Sequence, residues 1–410
     1  MKKNIWILNQ TAGNLNSGWG ERHYFLSKYW AQKGYNTTIF SGSYNHLFTN
    51  QPEISSNTFT KEKIEEGITF CWVKIKKYNP NSVFKLWSMI VFAFKLFFIP
   101  KDNFSKPSVI IISSMPLFSV IPAYFLSKKY NAKLIFEVRD LWPQTPIHLK
   151  GYSRFHPIVL VMGFIEKFGY IKADQIVSVL PNSYNYINKI SNDPSKFNYI
   201  PNGIDEQFVG NEVLSDEIIS KIPKDKFIIG YAGTIGLANA MEYLMEAAKL
   251  MSDNSNIHFV IVGDGYLKES FIKTTLGLSN ITFIHKIKKT QVQSMLMNFD
   301  VCYVGRYNSP LYKHGVSYNK YFDYMLAKKP VLESSNLIKD PIELSNCGLI
   351  VSPENAIVIK DGIMELYHLS TVELHKFGQN GYDYVKKYHS FDFLSTQYLN
   401  IFSDAPKPKI

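Results

Sequence analysis

Residues 227–265 read FIIGYAGTIGLANAMEYLMEAAKLMSDNSNIHFVIVGDG. Phe227–Tyr231 is an uninterrupted apolar run of strand length. Gly233–Gly236 is a glycine loop, and Met241–Met251 follows with helical spacing. Ile257–Val262 is a second apolar run, closed by Gly-Asp-Gly at Gly263–Gly265. Strand, glycine loop, helix and strand make a βαβ unit, and apolar runs this continuous suit strands covered on both faces of a parallel sheet. The series goes on through Ile281–Ile284, Val301–Val304, Pro330–Leu332 and Gly348–Val351.

The same alternation occupies the first half of the chain. Ile5–Leu8 reads as the first strand, and a glycine-bearing loop and a helical pattern over Arg22–Lys33 follow. Thr37–Phe40, Val109–Ser113, Lys133–Glu137 and Gln175–Val179 continue it. The fold class expected is α/β, with two doubly wound halves. An N-terminal domain over 1–205, a polar linker over 206–224 and a C-terminal domain over 225–384 are the boundaries this spacing implies. At 410 residues each half is long enough to bury its own core.

Charge separates the halves. Residues 1–205 carry 24 Lys and Arg against 12 Asp and Glu, and the remainder carries 21 against 22. A basic first half points to an anionic partner there: phospholipid headgroups, nucleic acid or a pyrophosphate-linked substrate. The three cysteines, Cys71, Cys302 and Cys347, are far apart and imply neither a disulfide framework nor a metal site, which fits a reducing cytosol. No run of about 20 uncharged apolar residues suggests a spanning helix. Val83–Ile99, VFKLWSMIVFAFKLFFI, is instead a helix with Lys85, Ser88 and Lys95 on one narrow stripe and apolar residues elsewhere. Such a helix suits a bilayer interface, and it also suits a helix packed within the first domain.

Three stretches carry chemistry. In Ser17-Gly-Trp-Gly-Glu-Arg-His23, Gly18 and Gly20 follow a strand and precede a helix, where backbone N–H groups can approach phosphate oxygens. In Glu137-Val-Arg-Asp-Leu-Trp-Pro143, three charges end a strand. Asp140 is placed to take an acceptor proton, Arg139 to hold a phosphate or orient that acid, and a buried ion pair is the alternative. In Lys313-His-Gly-Val-Ser-Tyr-Asn-Lys-Tyr-Phe-Asp-Tyr-Met325, Gly315, Val316 and Ser317 read as a loop and Asn319 as the helix cap. Lys320 and Asp323, three apart, then share a face that suits a diphosphate and a ribose; a capped helix with an exposed ion pair is the alternative. The chain has no Asp-x-Asp.

With these motifs in place, the chain resembles glycosyltransferase family 4: retaining, metal-independent enzymes of the GT-B fold. The resemblance is closest to the bacterial O-antigen and capsule branch of WbuB-like N-acetylfucosamine transferases. SGWGERHYFLSKYW, FEVRDLWPQ, IPNGID, YAGTIGLANAMEYLMEAA, IVGDG, GVSYNKYFDYMLAKKPVL and NGYDYVKKYHSF carry it, in order, over nearly the whole length. It implies two Rossmann-like domains facing across a cleft, with the donor mainly on the second and the acceptor on the basic first, and a last helix around Tyr382–Phe402 that crosses back, so that about 385–410 belongs with the first domain. The donor set is then Gly18, Gly20, Gly233, Thr234, Gly236, Gly263, Arg306, Lys313, Val316, Ser317, Asn319, Lys320 and Asp323. Arg22 and His23 are expected at the acceptor, and Glu137, Arg139 and Asp140 at the reaction. Thr234 and Asn239 stand where many relatives carry the diphosphate-binding Arg and Lys. Of the family's paired glutamates, the first falls on Gly315 and the second on Asp323, so Arg306, Lys313 and Lys320 are the replacement cations.

The partners that the resemblance implies are a nucleotide-sugar donor of the UDP-sugar type, a polyprenyl-diphosphate-linked acceptor and an anionic membrane surface, with no nucleic acid. No cofactor is expected, and the nucleotide sugar is a substrate. The implied location is cytoplasmic and peripheral, on the inner face of the plasma membrane. Two alternatives stay open: a sugar-nucleotide 2-epimerase of the same fold, and a non-enzymatic basic module binding lipid or nucleic acid.

Overall fold

Central strands buried on both faces build both sheets. The structure, a computed structural model, describes residues 3–402 except 80, 81, 115, 318 and 339. The chain forms two units: one runs through Asn202 and resumes at Phe391, and the other is Gly203–Ser390.

Unit 1 contains β1 (Asn4–Leu8), α1 (Arg22–Gln32), β2 (Asn36–Gly42), β3 (Phe59–Glu65), β4 (Ile68–Val73) and α2 (Val83–Leu96). It continues with β5 (Val109–Ser113), α3 (Val120–Tyr130), β6 (Lys133–Val138), α4 (Gln144–Lys150) and α5 (Pro157–Lys172). It then adds β7 (Gln175–Ser178), α6 (Tyr184–Ser191) and β8 (Phe197–Tyr199). The strand order is β3-β4-β2-β1-β5-β6-β7-β8, parallel throughout except that β3 runs antiparallel to β4. Ile5, Ile7 and Ile111 enter the core on one face, and Trp6, Leu8, Ile110 and Ile112 the core on the other. That two-sided burial is why these strands read as continuous apolar runs.

Unit 2 contains α7 (Asp216–Ile219), β9 (Phe227–Ala232), α8 (Met241–Leu250), β10 (Ile257–Val262), α9 (Lys268–Thr274), β11 (Ile281–Ile284) and α10 (Val292–Leu296). It continues with β12 (Val301–Gly305), α11 (Asn319–Leu326), β13 (Val331–Ser334), α12 (Pro341–Ser345), β14 (Gly348–Val351), α13 (Ala356–His368) and α14 (Thr371–His389). Its six strands lie parallel in the order β11-β10-β9-β12-β13-β14. Gly230 sits mid-strand because Phe299 packs there: a Cβ on Gly230 would stand 1.9 Å from the Phe299 ring.

Several expectations are corrected. The stretch expected as a linker belongs to unit 2, where Leu214 and Ile222 are anchored in its core. The single last helix is two: α14 ends at His389 within unit 2, and α15 (Phe391–Phe402) joins unit 1. There Phe25 stacks on Phe391, and Trp30 packs on Tyr398 and Phe402. Residues 403–410 of the expected C-terminal segment lie outside the described residues. On α2 the expected polar stripe turns inward. Ser88 is buried and accepts from Gln10 Nε2 (3.1 Å), whereas Val83, Phe84, Trp87 and Phe94 are exposed. No helix among the described residues is long and apolar enough to cross a membrane.

Candidate active site

Each sheet has one place where neighbouring strands lead their connections in opposite directions: β1/β5 in unit 1 and β9/β12 in unit 2. Loops at the carboxyl ends of such strands diverge and leave a crevice for ligands. Of the motifs read from the sequence, Ser17–His23 follows β1 and Lys313–Met325 follows β12, while Glu137–Pro143 follows β6, the strand beside β5.

In unit 2 the loop after β9 meets the helix that follows β12. Lys320, in the first turn of α11, donates from Nζ to Tyr231 Oη (3.0 Å) and to Asn239 Oδ1 (2.7 Å), with its ammonium 4.5 Å from the Tyr231 ring centre. Tyr231 Oη donates in turn to the Thr234 carbonyl (2.6 Å), and Asn239 Nδ2 donates to the same oxygen (2.9 Å). Both side chains that receive the ammonium are neutral. Burial, and then the charge of Arg306, push Lys320 down to about 7. An ammonium so destabilised beside a glycine loop is suited to an incoming anion. Gly233 lies within reach of Lys320 and packs on the next loop so closely that a Cβ on Gly263 would be 1.9 Å from the Gly233 carbonyl. Gly236 and Thr234 complete this loop. Asp323 is half-buried one turn further along α11.

Other members of the expected donor set fall elsewhere. Arg306 is a correction. Its side chain is only 1% exposed, and its guanidinium meets Glu333 Oε1 from Nη2 (3.0 Å) and Nε (3.2 Å). A guanidinium this deep needs a carboxylate, so its charge is spent inside the unit. Glu333 also accepts from Tyr321 Oη (2.5 Å), and burial with the nearby Glu333 pushes the Asp340 carboxyl up to about 8. Lys313 is exposed on a 3-10 turn, Val316 is buried and Ser317 is half-buried. Asn319 is exposed and begins α11, so it stands inside the helix where a cap was expected. Gly18 and Gly20 belong to unit 1. Gly20 has φ +75, and a Cβ there would be 2.3 Å from the Thr11 carbonyl, so it folds the β1–α1 loop onto itself.

In unit 1 the three charges ending β6 separate into two kinds. Glu137 is fully buried. Its Oε2 accepts from Arg22 Nε (3.0 Å) and Tyr398 Oη; its Oε1 accepts from Ser113 Oγ (3.2 Å) and meets His23 Nε2 (2.9 Å). Burial opposes its charge, but Arg22 and His23 outweigh that and hold the carboxyl well below its ordinary range. A carboxylate so saturated does not carry protons, and Glu137 is corrected from reacting group to buttress. Arg22 and His23, expected at the acceptor, are buried for the same reason. Arg22 also donates to the carbonyls of Ile200 (2.9 Å) and Pro201. Asn9 Nδ2 lies 3.1 Å from His23 Nδ1, which leaves Nε2–H for Glu137, and burial lowers the imidazole below its ordinary value.

Arg139 and Asp140 remain available. Their backbone N–H groups both donate to Ser114 Oγ (2.9 and 3.3 Å), which turns the chain after β6. Arg139 is half-buried and Asp140 keeps solvent access. A carboxylate that keeps solvent access next to an arginine is placed to accept a proton. Sequence reasoning missed Tyr231, because a tyrosine inside an apolar strand carries no signal of a cationic neighbour.

Solved structures with the same architecture extend over the whole chain. Sucrose-phosphate synthase from Thermosynechococcus elongatus is 15% identical, with a TM-score of 0.72 over 98% of this chain and 99% of its own. A trehalose-6-phosphate protein from E. coli, bound with UDP-2-fluoro glucose, is 11% identical, with a TM-score of 0.73 over 98% and 99%. Anabaena HepE in complex with UDP and glucose is 12% identical, with a TM-score of 0.65 over 98% and 100%. The protein therefore has the GT-B fold: two Rossmann-like parallel sheets, with α15 packed on α1. Residues 226–368, most of unit 2, match the family model described as "Glycosyl transferases group 1". Over that segment the chain is similar to the glycosyltransferases of that group. No curated protein matches the chain.

Proposed function

We propose that the protein is a retaining glycosyltransferase that moves a sugar, an N-acetylated amino or deoxy hexose, from a UDP-sugar onto a lipid-diphosphate-linked saccharide. The work belongs to capsule, O-antigen or other cell-surface polysaccharide assembly, as in the WbuB-like branch, with the protein held peripherally on the inner face of the plasma membrane. The observation that carries the reading is Lys320. Its ammonium stands against the Gly233 loop at the carboxyl end of β9, held by Tyr231 and Asn239, where a diphosphate would restore its charge. The UDP bound to HepE and the UDP-2-fluoro glucose bound to the E. coli protein support a uridine nucleotide.

In this reading Lys320 and the loop N–H groups stabilise the negative charge that grows on the diphosphate as the sugar departs. Asp323, one turn along, takes the ribose hydroxyls. On the acceptor side, Asp140 receives or orients the hydroxyl proton and Arg139 steadies the acceptor diphosphate. The test is a panel of nucleotide sugars incubated with a polyprenyl-diphosphate saccharide, with product and anomer followed by mass spectrometry and NMR. Transfer from UDP-N-acetyl sugars with retained configuration is expected. An altered sugar nucleotide formed without acceptor would instead make the protein an epimerase.

A further inference from the structure

The outward face of α5 is apolar apart from the exposed Lys167. Pro157, Leu160, Val161, Phe164 and Ile171 recur at helical spacing and are exposed, Phe164 by 68%. The opposite face, with Val159, Met162, Ile165 and Tyr170, is buried. A surface helix ordinarily turns polar residues to water, so an apolar outer face is a contact surface. On α2 the pattern repeats, with Phe84, Trp87 and Phe94 outward and Phe92 and Leu96 inward. Buried residues of α2 and α5 enter the same core, and both helices pack on the 3-10 turn Leu117–Ser119. Helix α3 contacts both and adds the exposed Phe125, whose ring lies 6.0 Å from that of Phe97. The three helices thus turn exposed apolar residues outward from one shared core.

The same helices expose cations: Lys128 and Lys129 on α3, Lys167 and Lys172 on α5. Between Val83 and Lys172 there are 12 Lys and Arg against four Asp and Glu, and two of those four, Glu137 and Glu166, are buried. Apolar aromatics with a basic rim match the boundary between acyl chains and anionic headgroups. Helix α5, at 16 residues, is roughly 24 Å long, enough to lie along that boundary. Met89 of α2, Leu117, Trp142 and Met162 of α5 line a small pocket together with Ser114, the hydroxyl that receives the Arg139 and Asp140 N–H groups.

We propose that α2, α3 and α5 form one docking platform for an anionic phospholipid surface, with α5 as a second anchor beside α2. The platform rests on the reading of a lipid-linked acceptor: it brings the Arg139–Asp140 loop to the membrane plane where that acceptor's diphosphate lies.

The full chain is mixed with phosphatidylcholine vesicles, with and without phosphatidylglycerol, and sedimented. Binding to the anionic vesicles, weakened by salt, is expected. Leu160→Ser with Phe164→Ser should lower partitioning by about ten-fold or more, as should Trp87→Ser with Phe94→Ser. All four positions are exposed, so the variants should keep the wild-type melting temperature. The native cysteines are buried, so an environment-sensitive dye on Phe164→Cys reports that position alone. Its emission should shift to the blue on anionic vesicles. Wild-type binding by the α5 variant, or a dye still in water on bound protein, overturns the proposal. So does a lipid-free dimer dispersed by the same substitutions, which would assign the face to a second copy. A parallel UDP titration separates the two readings. Lost docking with intact UDP binding refutes the platform alone, and intact docking without UDP binding refutes the donor site alone.

Discussion

Replacing Lys320 tests the donor site through its proton. With the site empty, burial and Arg306 hold the ammonium at about 7, against an ordinary value near 10.5. A bound diphosphate favours the charged form and raises the value again, so binding takes up a proton. The charged form that the ligand needs is present below the free-state value and is lost as pH rises through it. If binding restores the ordinary value, UDP affinity falls about fifty-fold between pH 7 and 9, or about 2.3 kcal/mol. The terminal phosphate, with a pKa of about 6, is already ionised in this window and adds little. Lys320→Met keeps length and removes charge. It should weaken UDP binding at pH 7 by about 1.5–3 kcal/mol and flatten the pH dependence, and UMP should show a smaller effect of the substitution. Calorimetric titration in buffers of different ionisation enthalpy reads affinity and proton uptake together. Wild-type binding that is flat from pH 7 to 9 without proton uptake, or a Lys320→Met variant with the wild-type slope, refutes the assignment.

Asp323→Asn should weaken UDP and UMP by similar factors in the same titrations, since both ligands carry the ribose; a loss confined to UDP would move Asp323 to the diphosphate. Asp140→Asn should leave UDP binding unchanged and reduce transfer by about 100-fold or more, measured with saturating acceptor. Glu137→Gln leaves the Arg22 charge buried and should cost about 3–5 kcal/mol in denaturant unfolding. Because the folded Glu137 carboxyl is lowered, its stabilisation is present above the ordinary carboxylate value and is lost only as pH falls through the folded one. The wild type should therefore lose this advantage over Glu137→Gln in strong acid, which unfolding curves at several pH values would display.

The parallel strands were legible because burial on both faces makes them uniformly apolar, and the glycine loops because close backbone approach admits little else. The strand Phe59–Glu65 was not legible. It lies at the sheet edge with its middle exposed, and its polar sequence FTKEKIE resembles a loop. The polar stretch after Asp205 hid its membership of unit 2 because two residues, Leu214 and Ile222, anchor it. The position of Lys320, at the start of a helix after a loop, was legible. Glu137, Arg139 and Asp140 look equivalent in sequence. What separates them is Arg22 and Tyr398, 115 and 261 positions from Glu137. The fate of Arg306 turns likewise on Glu333, a strand away.

The bond from Tyr398 to Glu137 has a consequence for the order of synthesis. Unit 1 holds its first 202 residues early, but Tyr398, the Phe391 ring beneath Phe25 and the Ser395 carbonyl that receives Trp30 Nε1 arrive only after the whole of unit 2 has been translated. At typical elongation rates of 5–20 residues per second that delay is roughly 10–40 s. Throughout it, Phe25 and Trp30 lack their covering helix, and Arg22 and Glu137 face each other without the tyrosine that completes their cluster. A nascent chain stalled before Phe391 should therefore display a protease-sensitive first unit beside a folded second one.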